Sequence, residues 1–488
     1  MQSHIVSSLD VCLKDDGFSF DELVYRLEEL FDKQAFPSLL CEILMLYDEM
    51  LRMLVVKGGK LPVKCECGNG SCFVLDGCRP RNVKTRIGEV RLPAVKRVKC
   101  KRCGKSFAPM LRAIGLDDYQ TKTHGLEKLV LEQCAETSYR RAAHNVKDMT
   151  AVSVSHATFR NWVIDTDAAD IKVPEETIGS VPGALFADGT KFKGIDAKGK
   201  AERAEIRVLL GVRASGSTFP IGVWSGGETW EEIAAALDER KVVFPEGTVL
   251  VCDGERHLAE SLSRFATYQQ RCVFHIPRET YFAAWADGAR QKDIGPIQDK
   301  LKSVLAIELP KEDYELVPED KKREIEQQVA TAEKEVLKLI GEVKSKGFSR
   351  AAAYIENARA YMFNYVRRWL ALGIHCPKAS SIIERTMREI GRRIKKLGYN
   401  WKAKGVGQIS KILLKIFSNR DEWDAYWKEK MSMNQSVLLS FMLDKQLTRQ
   451  PSIPDFFTLS KFYSKLFHGF HTPWAHSNFS KRCHAFVA

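Results

Sequence analysis

The chain has 488 residues, 44% of them hydrophobic, and a mean hydropathy of −0.25, figures of a globular protein long enough for several domains and a substantial core. No apolar run approaches the roughly 20 residues that span a bilayer, and the opening MQSHIVSSLDVCLKDDG lacks the basic start and apolar stretch of a secretory signal, so a cytoplasmic location is expected, or a nuclear one in a eukaryotic host. The net charge of +13 and pI near 9.0 make an acidic polymer the natural partner, nucleic acid before a membrane, since no basic amphipathic helix or lipidation motif stands out.

Residues 19 to 55 repeat apolar side chains at helical spacing: Leu23, Leu27 and Leu30, then Leu40, Ile43, Leu44 and Tyr47, with Pro37 between the two helices. They predict a packing or oligomerisation element without visible chemistry. Six of the thirteen cysteines follow between Cys65 and Cys103, and in a reducing compartment such clustering points to metal rather than disulfides. Cys100-x2-Cys103-Gly104 presents two thiolates on a tight turn. Cys65-x-Cys67-Gly68 is less regular, and Cys72 could replace either of its thiols. The intervening VKTRIGEVRLPAVKRVK alternates as a hairpin would, so the expected unit is a zinc ribbon. It would hold one structural Zn2+ through Cys65, Cys67, Cys100 and Cys103. Lys84, Arg86, Arg91, Lys96, Arg97 and Lys99 make its β-surface basic and suited to phosphates.

Residues 124 to 167 read as a helix-turn-helix. HGLEKLVLEQCAE is one helix, SYRRAAHNV another with Ser138 as N-cap, and SVSHATFRNWVIDTD a third capped by Ser153 or Ser155. Ser155, His156, Thr158, Arg160 and Asn161 crowd the start of that last helix, where a recognition helix meets base edges. Phe159, Trp162 and Val163 form its buried side. A three-helix bundle that reads no DNA has the same pattern.

From residue 183 the pattern changes to strands. GALFADGTKFKGI, AEIRVLLGVRA and STFPIGVWSG come first, then the helix TWEEIAAALDER, the strand GTVLVCDG, the helix RHLAESLSRFA and the strand YQQRCVFHI. Three strands, helix, strand, helix, strand is the order of an RNase H-like α/β core. In that layout Asp188 lies on the central strand and Asp253 ends its neighbour. Two adjacent carboxylates repel unless a cation lies between them, and hard divalent ions remove that cost. A third carboxylate is expected from the helix SSIIERTMREIGRRIKKLG. Ile383, Met387, Ile390, Ile394 and Leu397 form its apolar stripe, and Arg385, Arg388, Arg392, Lys395 and Lys396 fall opposite. Glu384 sits at the boundary and can turn to the sheet, whereas Glu389 lies among the basic residues and points to solvent.

FADGTKFK, VCDGERHL, QRCVFHIPRE and SSIIERTMREIGRR resemble the motifs of DDE transposases of the mutator-like superfamily, in particular insertion-sequence transposases of bacteria and archaea with a zinc ribbon before the core. The resemblance covers roughly residues 60 to 410. It implies a catalytic triad of Asp188, Asp253 and Glu384 with two Mg2+ (or Mn2+) ions per active site, and it places the family's Cys-x2-His signature on Cys272 and His275. Those two are read as structural support beside the site, a second zinc being disfavoured because no further Cys or His pair follows closely. One departure is Ser381, where relatives often carry Asn. The resemblance also implies double-stranded DNA as partner, both terminal inverted repeats and target, a homo-oligomer that pairs two ends, and a nucleoid-associated location.

The expected organisation is a helical element over 1–55, the zinc ribbon over 56–112, the helix-turn-helix over 113–175, and the core over 176–284 and 376–430, interrupted by an all-α insertion over 285–375. An extension of unassigned role follows over 431–488. Phosphate contacts are expected from Arg385, Arg388, Arg392 and Lys395, and base contacts from Ser155, Thr158, Arg160 and Asn161. Two other classes compete with a transposase: a domesticated site-specific DNA-binding regulator, and an RNase H-like nuclease that cuts without joining strands.

Overall fold

The computed structural model describes Val24 and residues 36–117, 119–150, 152–172, 183–195, 198–213, 215–396 and 401–431. The helix expected near residues 19–30 (Val24 apart), Leu397, and the extension beyond Met431 lie outside the described residues. Two compact units result, one built on the chain up to Leu126 with Asp148–Val152, the other on Glu127–Lys147 and Ser153–Lys430.

The first unit pairs a helix with a β-ribbon. Helix α1 (Phe36–Val56) carries Pro37 in its first turn, where a missing N–H costs nothing, so the proline opens this helix. Strands β1 (Phe73–Thr85) and β2 (Gly88–Cys100) form an antiparallel hairpin, joined by the two-residue strand β3 (Ser106–Phe107) and the short helix α2 (Pro109–Ala113). Val90, Leu92, Val95 and Val98 of β2 are buried and share a core with Leu51 and Val55 of α1, the steps of three between them falling where the β1–β2 register shifts. Asp48 is 1% exposed beneath them and accepts the Lys96 amide at 2.9 Å. The opposite side of α1 leaves Phe36, Leu39, Ile43, Leu46 and Met53 exposed, at alternating spacings of three and four or their sum.

In the second unit, helices α3 (His124–Glu136, from Glu127 on), α4 (Tyr139–Met149, up to Lys147) and α5 (His156–Asp165) precede a five-stranded sheet. Its strands are β4 (Ala184–Ile195), β5 (Ala201–Val212), β6 (Thr218–Trp224), β7 (Val249–Cys252) and β8 (Tyr268–Arg271), in the order β6-β5-β4-β7-β8. The first three strands form an antiparallel meander, while β7 and β8 add in parallel, as their helical crossovers α6 (Trp230–Glu239) and α7 (Arg256–Leu262) require. Leu185 and Ala187 of the central strand pack with Ile233, Leu237, Leu258 and Leu262 of those crossovers.

Between β8 and the last helices lies a helical set, α8 (His275–Ala286), α9 (Gln291–Val304), α10 (Glu319–Ser345), α11 (Ser349–Arg359) and α12 (Asn364–Leu372). Ile325, Val329, Ala332, Val336, Leu339 and Val343 give α10 a continuous buried stripe, and they share a core with Ile297, Ile355 and Trp369. Helix α13 (Ser381–Gly391) then packs on β4, continues as a π-helical turn over Arg392–Lys396, and is followed by α14 (Ala403–Ser418) and α15 (Arg420–Met431). The π-turn buries Arg393 against the rings of Tyr139 and Trp401, with Nε donating to the Cys134 carbonyl at 2.9 Å.

One expected strand is shorter than its sequence pattern. YQQRCVFHI leaves the sheet after Arg271, because the amides of His275 and Ile276 turn back to the Cys272 carbonyl and Pro277 suits a helix's first turn but cannot donate to a ladder. Cys272 and His275 thus stand on the turn into α8, not on a strand.

Candidate active site

Two carboxylates stand on neighbouring strands of the sheet, Asp188 within β4 and Asp253 just past the end of β7. Phe186 of β4 pairs in parallel register with Val251 of β7. Asp188 and Asp253 each lie two residues further on, so both reach the same level of neighbouring strands. The Asp188 Oδ1 accepts the Gly189 amide at 2.7 Å, and the Asp253 Oδ1 accepts the Glu255 amide at 2.9 Å. Burial first, and then the charge of Asp253, push the Asp188 carboxyl up to about 6.

Glu384 approaches from α13. Ile383, Met387 and Ile390 are buried on the sheet side while Arg385 and Arg388 are exposed, so the helix presents Glu384 at the edge of its apolar stripe. The Ser380 hydroxyl donates to Glu384 Oε1 at 2.6 Å and lies 3.3 Å from His275 Nδ1, which is itself 3.6 Å from that oxygen. The Ser380 amide donates to the Cys272 sulfur at 3.3 Å. Burial raises the Cys272 thiol, but hydrogen bonds from His275 and Ser380 outweigh it and hold the thiol down to about 7. His275 is raised in turn, chiefly by its bond to Cys272. Ser381 is exposed, and the buried serine that touches the glutamate is its neighbour Ser380. Glu389 differs from its expected solvent position, being half-buried and paired with Arg392 at 2.9 Å.

Sequence reasoning missed Arg271. It ends β8 opposite Cys252, is only 8% exposed, and donates from Nη1 to the Asp253 carbonyl at 3.1 Å. Its guanidinium lies 5.7 Å from the Tyr354 ring, and its Nε has no partner among the described residues. No spacing in the sequence points to it, because its contact is to a main-chain carbonyl.

The remaining expected contacts separate into two groups. Arg385 and Arg388 have no ion-pair partner among the described residues. Arg392 corrects the outward-facing expectation, because Glu136 at 2.8 Å and Glu389 engage it and tie the end of α13 to α3. Lys395 is exposed and bonds the Thr190 hydroxyl of β4. On α5, Ser155 is the N-cap, accepting the Thr158 amide at 3.2 Å. His156, Arg160 and Asn161 are exposed and Thr158 is half-exposed, whereas Phe159 and Val163 are buried.

In the first unit, Cys65, Cys67, Cys100 and Cys103 bring their sulfurs within 4.8 Å of one another. Cys65 and Cys103 are 3.4 Å apart, Cys67 and Cys100 3.7 Å. Gly68 and Gly104 follow the two pairs at φ of +80° and +75°, the left-handed turns that let both loops wrap one point. Burial raises the Cys100 thiol, yet donation from the Asn69 side chain and the Cys103 and Arg102 amides brings it down to about 6. Cys72 is exposed and stands outside this group.

The described residues thus form a mixed α/β protein of two compact units, with two groups of donor atoms close enough to share a metal ion: Cys65, Cys67, Cys100 and Cys103 in the first unit, and Cys272, His275 and Glu384 in the second. The sequence model of the family described as "Transposase, Mutator family" matches residues 74–425, well over half of the chain, and the chain belongs to that family. Comparison with curated proteins yields no match. Family membership makes the chain a transposase and DNA its partner. Among the described residues no helix is long and apolar enough to cross a membrane.

Proposed function

We propose that this transposase works by a DDE mechanism on an RNase H-like core, cutting the ends of a mobile element and joining them to target DNA through Asp188, Asp253 and Glu384. The observation that carries the reading is the β4–β7 register, which sets Asp188 and Asp253 side by side, together with the raised Asp188 carboxyl. Such a pair is stable in its ionised form only against cations, and its all-oxygen donors fit hard divalent ions. Asp188 and Asp253 would hold two Mg2+ (or Mn2+) ions, with Glu384 completing the second site. When bound, the ions activate water or a 3′-hydroxyl and stabilise the leaving oxygen.

The chain's own groups prepare these ligands. The Gly189 and Glu255 amides orient the two aspartates, and Ser380 with His275 engages Oε1 of Glu384, leaving Oε2 without a partner among the described residues. Arg385 and Arg388 contact phosphates, and Ser155, Thr158, Arg160 and Asn161 read the terminal inverted repeats. The four cysteines hold a structural Zn2+ in a zinc ribbon. Pairing two ends calls for a homo-oligomer, and the exposed apolar row on α1 supports one. A cytoplasmic, nucleoid-associated location goes with this role.

The test incubates the full chain with labelled DNA carrying the repeats that flank its gene, with Mg2+ or with EDTA. Cleavage and strand-transfer products in Mg2+ alone are expected. Cleavage without joining would make the protein a nuclease, and binding without cleavage a regulator.

A further inference from the structure

Beside the carboxylates lies a donor set of different chemistry. Cys272, His275 and Glu384 place a sulfur, an imidazole nitrogen and a carboxylate oxygen within 4.8 Å of one another. His275 Nδ1 and Glu384 Oε1 are 3.6 Å apart. Ligands around tetrahedral zinc, at bond lengths of about 2.0–2.3 Å, stand roughly 3.3–3.8 Å from each other. The set therefore needs a contraction of at most about 1.5 Å to close on one ion.

We propose that Cys272 Sγ, His275 Nδ1 and Glu384 Oε1 form a second zinc site with its fourth position open to solvent, and that zinc bound there withdraws Glu384 from the catalytic carboxylates and stops DNA cleavage. Thiolate and imidazole select Zn2+ and serve Mg2+ poorly, so abundant magnesium does not compete for the sulfur. The surroundings are those of a supported metal site. The Ser380 amide donates to the Cys272 sulfur and its hydroxyl to Glu384 Oε1, holding both donors, while the 3.3 Å approach of that hydroxyl to His275 Nδ1 is a contact that the metal would replace. Cys272 and His275 are buried while the Glu384 side chain is 42% exposed, so the ion enters from the glutamate side. Binding forms bonds to S, N and O and releases the thiol proton to solvent, without redox change. The reading of Cys272-x2-His275 as packing support lacked the third ligand, which α13 brings from far along the chain.

The inhibitory part rests on the proposed role of Glu384; the metal site itself does not. The test titrates Zn2+ into full-length protein whose four-cysteine cluster is already loaded, comparing wild type, Cys272→Ser and Ser380→Ala by equilibrium dialysis and metal analysis. Wild type should take up about one further equivalent, and Cys272→Ser none. Ser380→Ala keeps all three ligands and should bind ten- to a hundredfold more weakly, about the loss typical of an outer-shell partner. Co2+ added to the loaded wild type should give a thiolate-to-metal charge-transfer band that Cys272→Ser lacks. Equal zinc uptake and equal cobalt spectra in wild type and Cys272→Ser would overturn the site. Normal uptake with unimpaired Mg2+-supported cleavage would remove the inhibitory role. A chain that cuts no DNA under any condition would refute the catalytic reading and leave the zinc count standing.

Discussion

The Arg271 guanidinium packs against Gly254, so close that a Cβ at residue 254 would fall 1.2 Å from Nη1. Gly254 also has φ of +97°, a backbone region that L side chains rarely adopt. The turn that carries Asp253 is thus shaped from both sides, by a glycine that makes room and by an arginine that donates to the Asp253 carbonyl.

Gly254→Ala should displace Arg271 and loosen this turn. A misplacement of about 1 Å in a reacting geometry costs on the order of a hundredfold in rate, so, with Asp253 in its proposed role, cleavage should fall by about that factor while end binding persists. Arg271→Lys, which keeps the charge and loses the planar fork, should raise the Mg2+ concentration needed for half-maximal cleavage. Mg2+ titrations of cleavage that superimpose on wild type for both variants would make the contact mere packing.

The pH dependence of stability should carry a contribution from Asp48. Burial is the main cause raising its carboxyl to about 6, against the Lys96 amide bond that lowers it. The folded value lies above the unfolded one near 3.8, so the stabilisation is full below pH ~4 and is lost as pH rises through about 6. Asp48→Asn removes the buried charge and keeps an acceptor for Lys96. Denaturant melts at pH 4 and pH 7 should show the variant gaining up to about 3 kcal/mol relative to wild type at the higher pH.

The four-cysteine cluster should retain about one zinc per chain through a mild chelator wash. Cys103→Ser should lose it, and Cys72→Ser should keep it, since Cys72 stands outside the group. Metal analysis of the purified variants under reducing conditions reads both results directly.

DNA affinity should divide by helix. Arg385→Ala and Arg388→Ala should weaken binding to every sequence alike and flatten the salt dependence by about one unit of slope each. Arg160→Ala and Thr158→Ala should lose sequence preference first, by about 1–3 kcal/mol against competitor DNA. Arg392→Ala should act on stability, because its guanidinium is occupied by Glu136 and Glu389. Fluorescence anisotropy with cognate and scrambled ends separates the three behaviours.

Much of this was legible because it depends on local periodicity. The change to strand-like runs at residue 183 marked β4 and β5, the 3.6-residue stripe of Ile383, Met387 and Ile390 marked the buried side of α13, and the choice between Ser153 and Ser155 marked the start of α5. The turn at Cys272 was not legible, since three apolar residues after a strand read equally as its continuation. Ser380 and Arg271 were beyond reach for another reason. Their roles lie in contacts to Cys272 across the chain and to a main-chain carbonyl, and neither leaves a spacing to read. The pairing of Arg392 with Glu136 is equally long-range, which is why a basic helix face looked uniformly free for phosphate.

The central claim is that Asp188, Asp253 and Glu384 act together as ligands for the catalytic ions. Cleavage of labelled element-end DNA by Asp188→Asn, Asp253→Asn, Glu384→Gln and Glu389→Gln, each with Mg2+ or Mn2+ and each with end binding measured in parallel, tests it most directly. The account predicts that the first three bind ends nearly as wild type and cut none, while Glu389→Gln cuts normally. Robust cleavage by Asp188→Asn would contradict it, leaving that carboxylate an ordinary strand residue and the chemistry elsewhere in the chain.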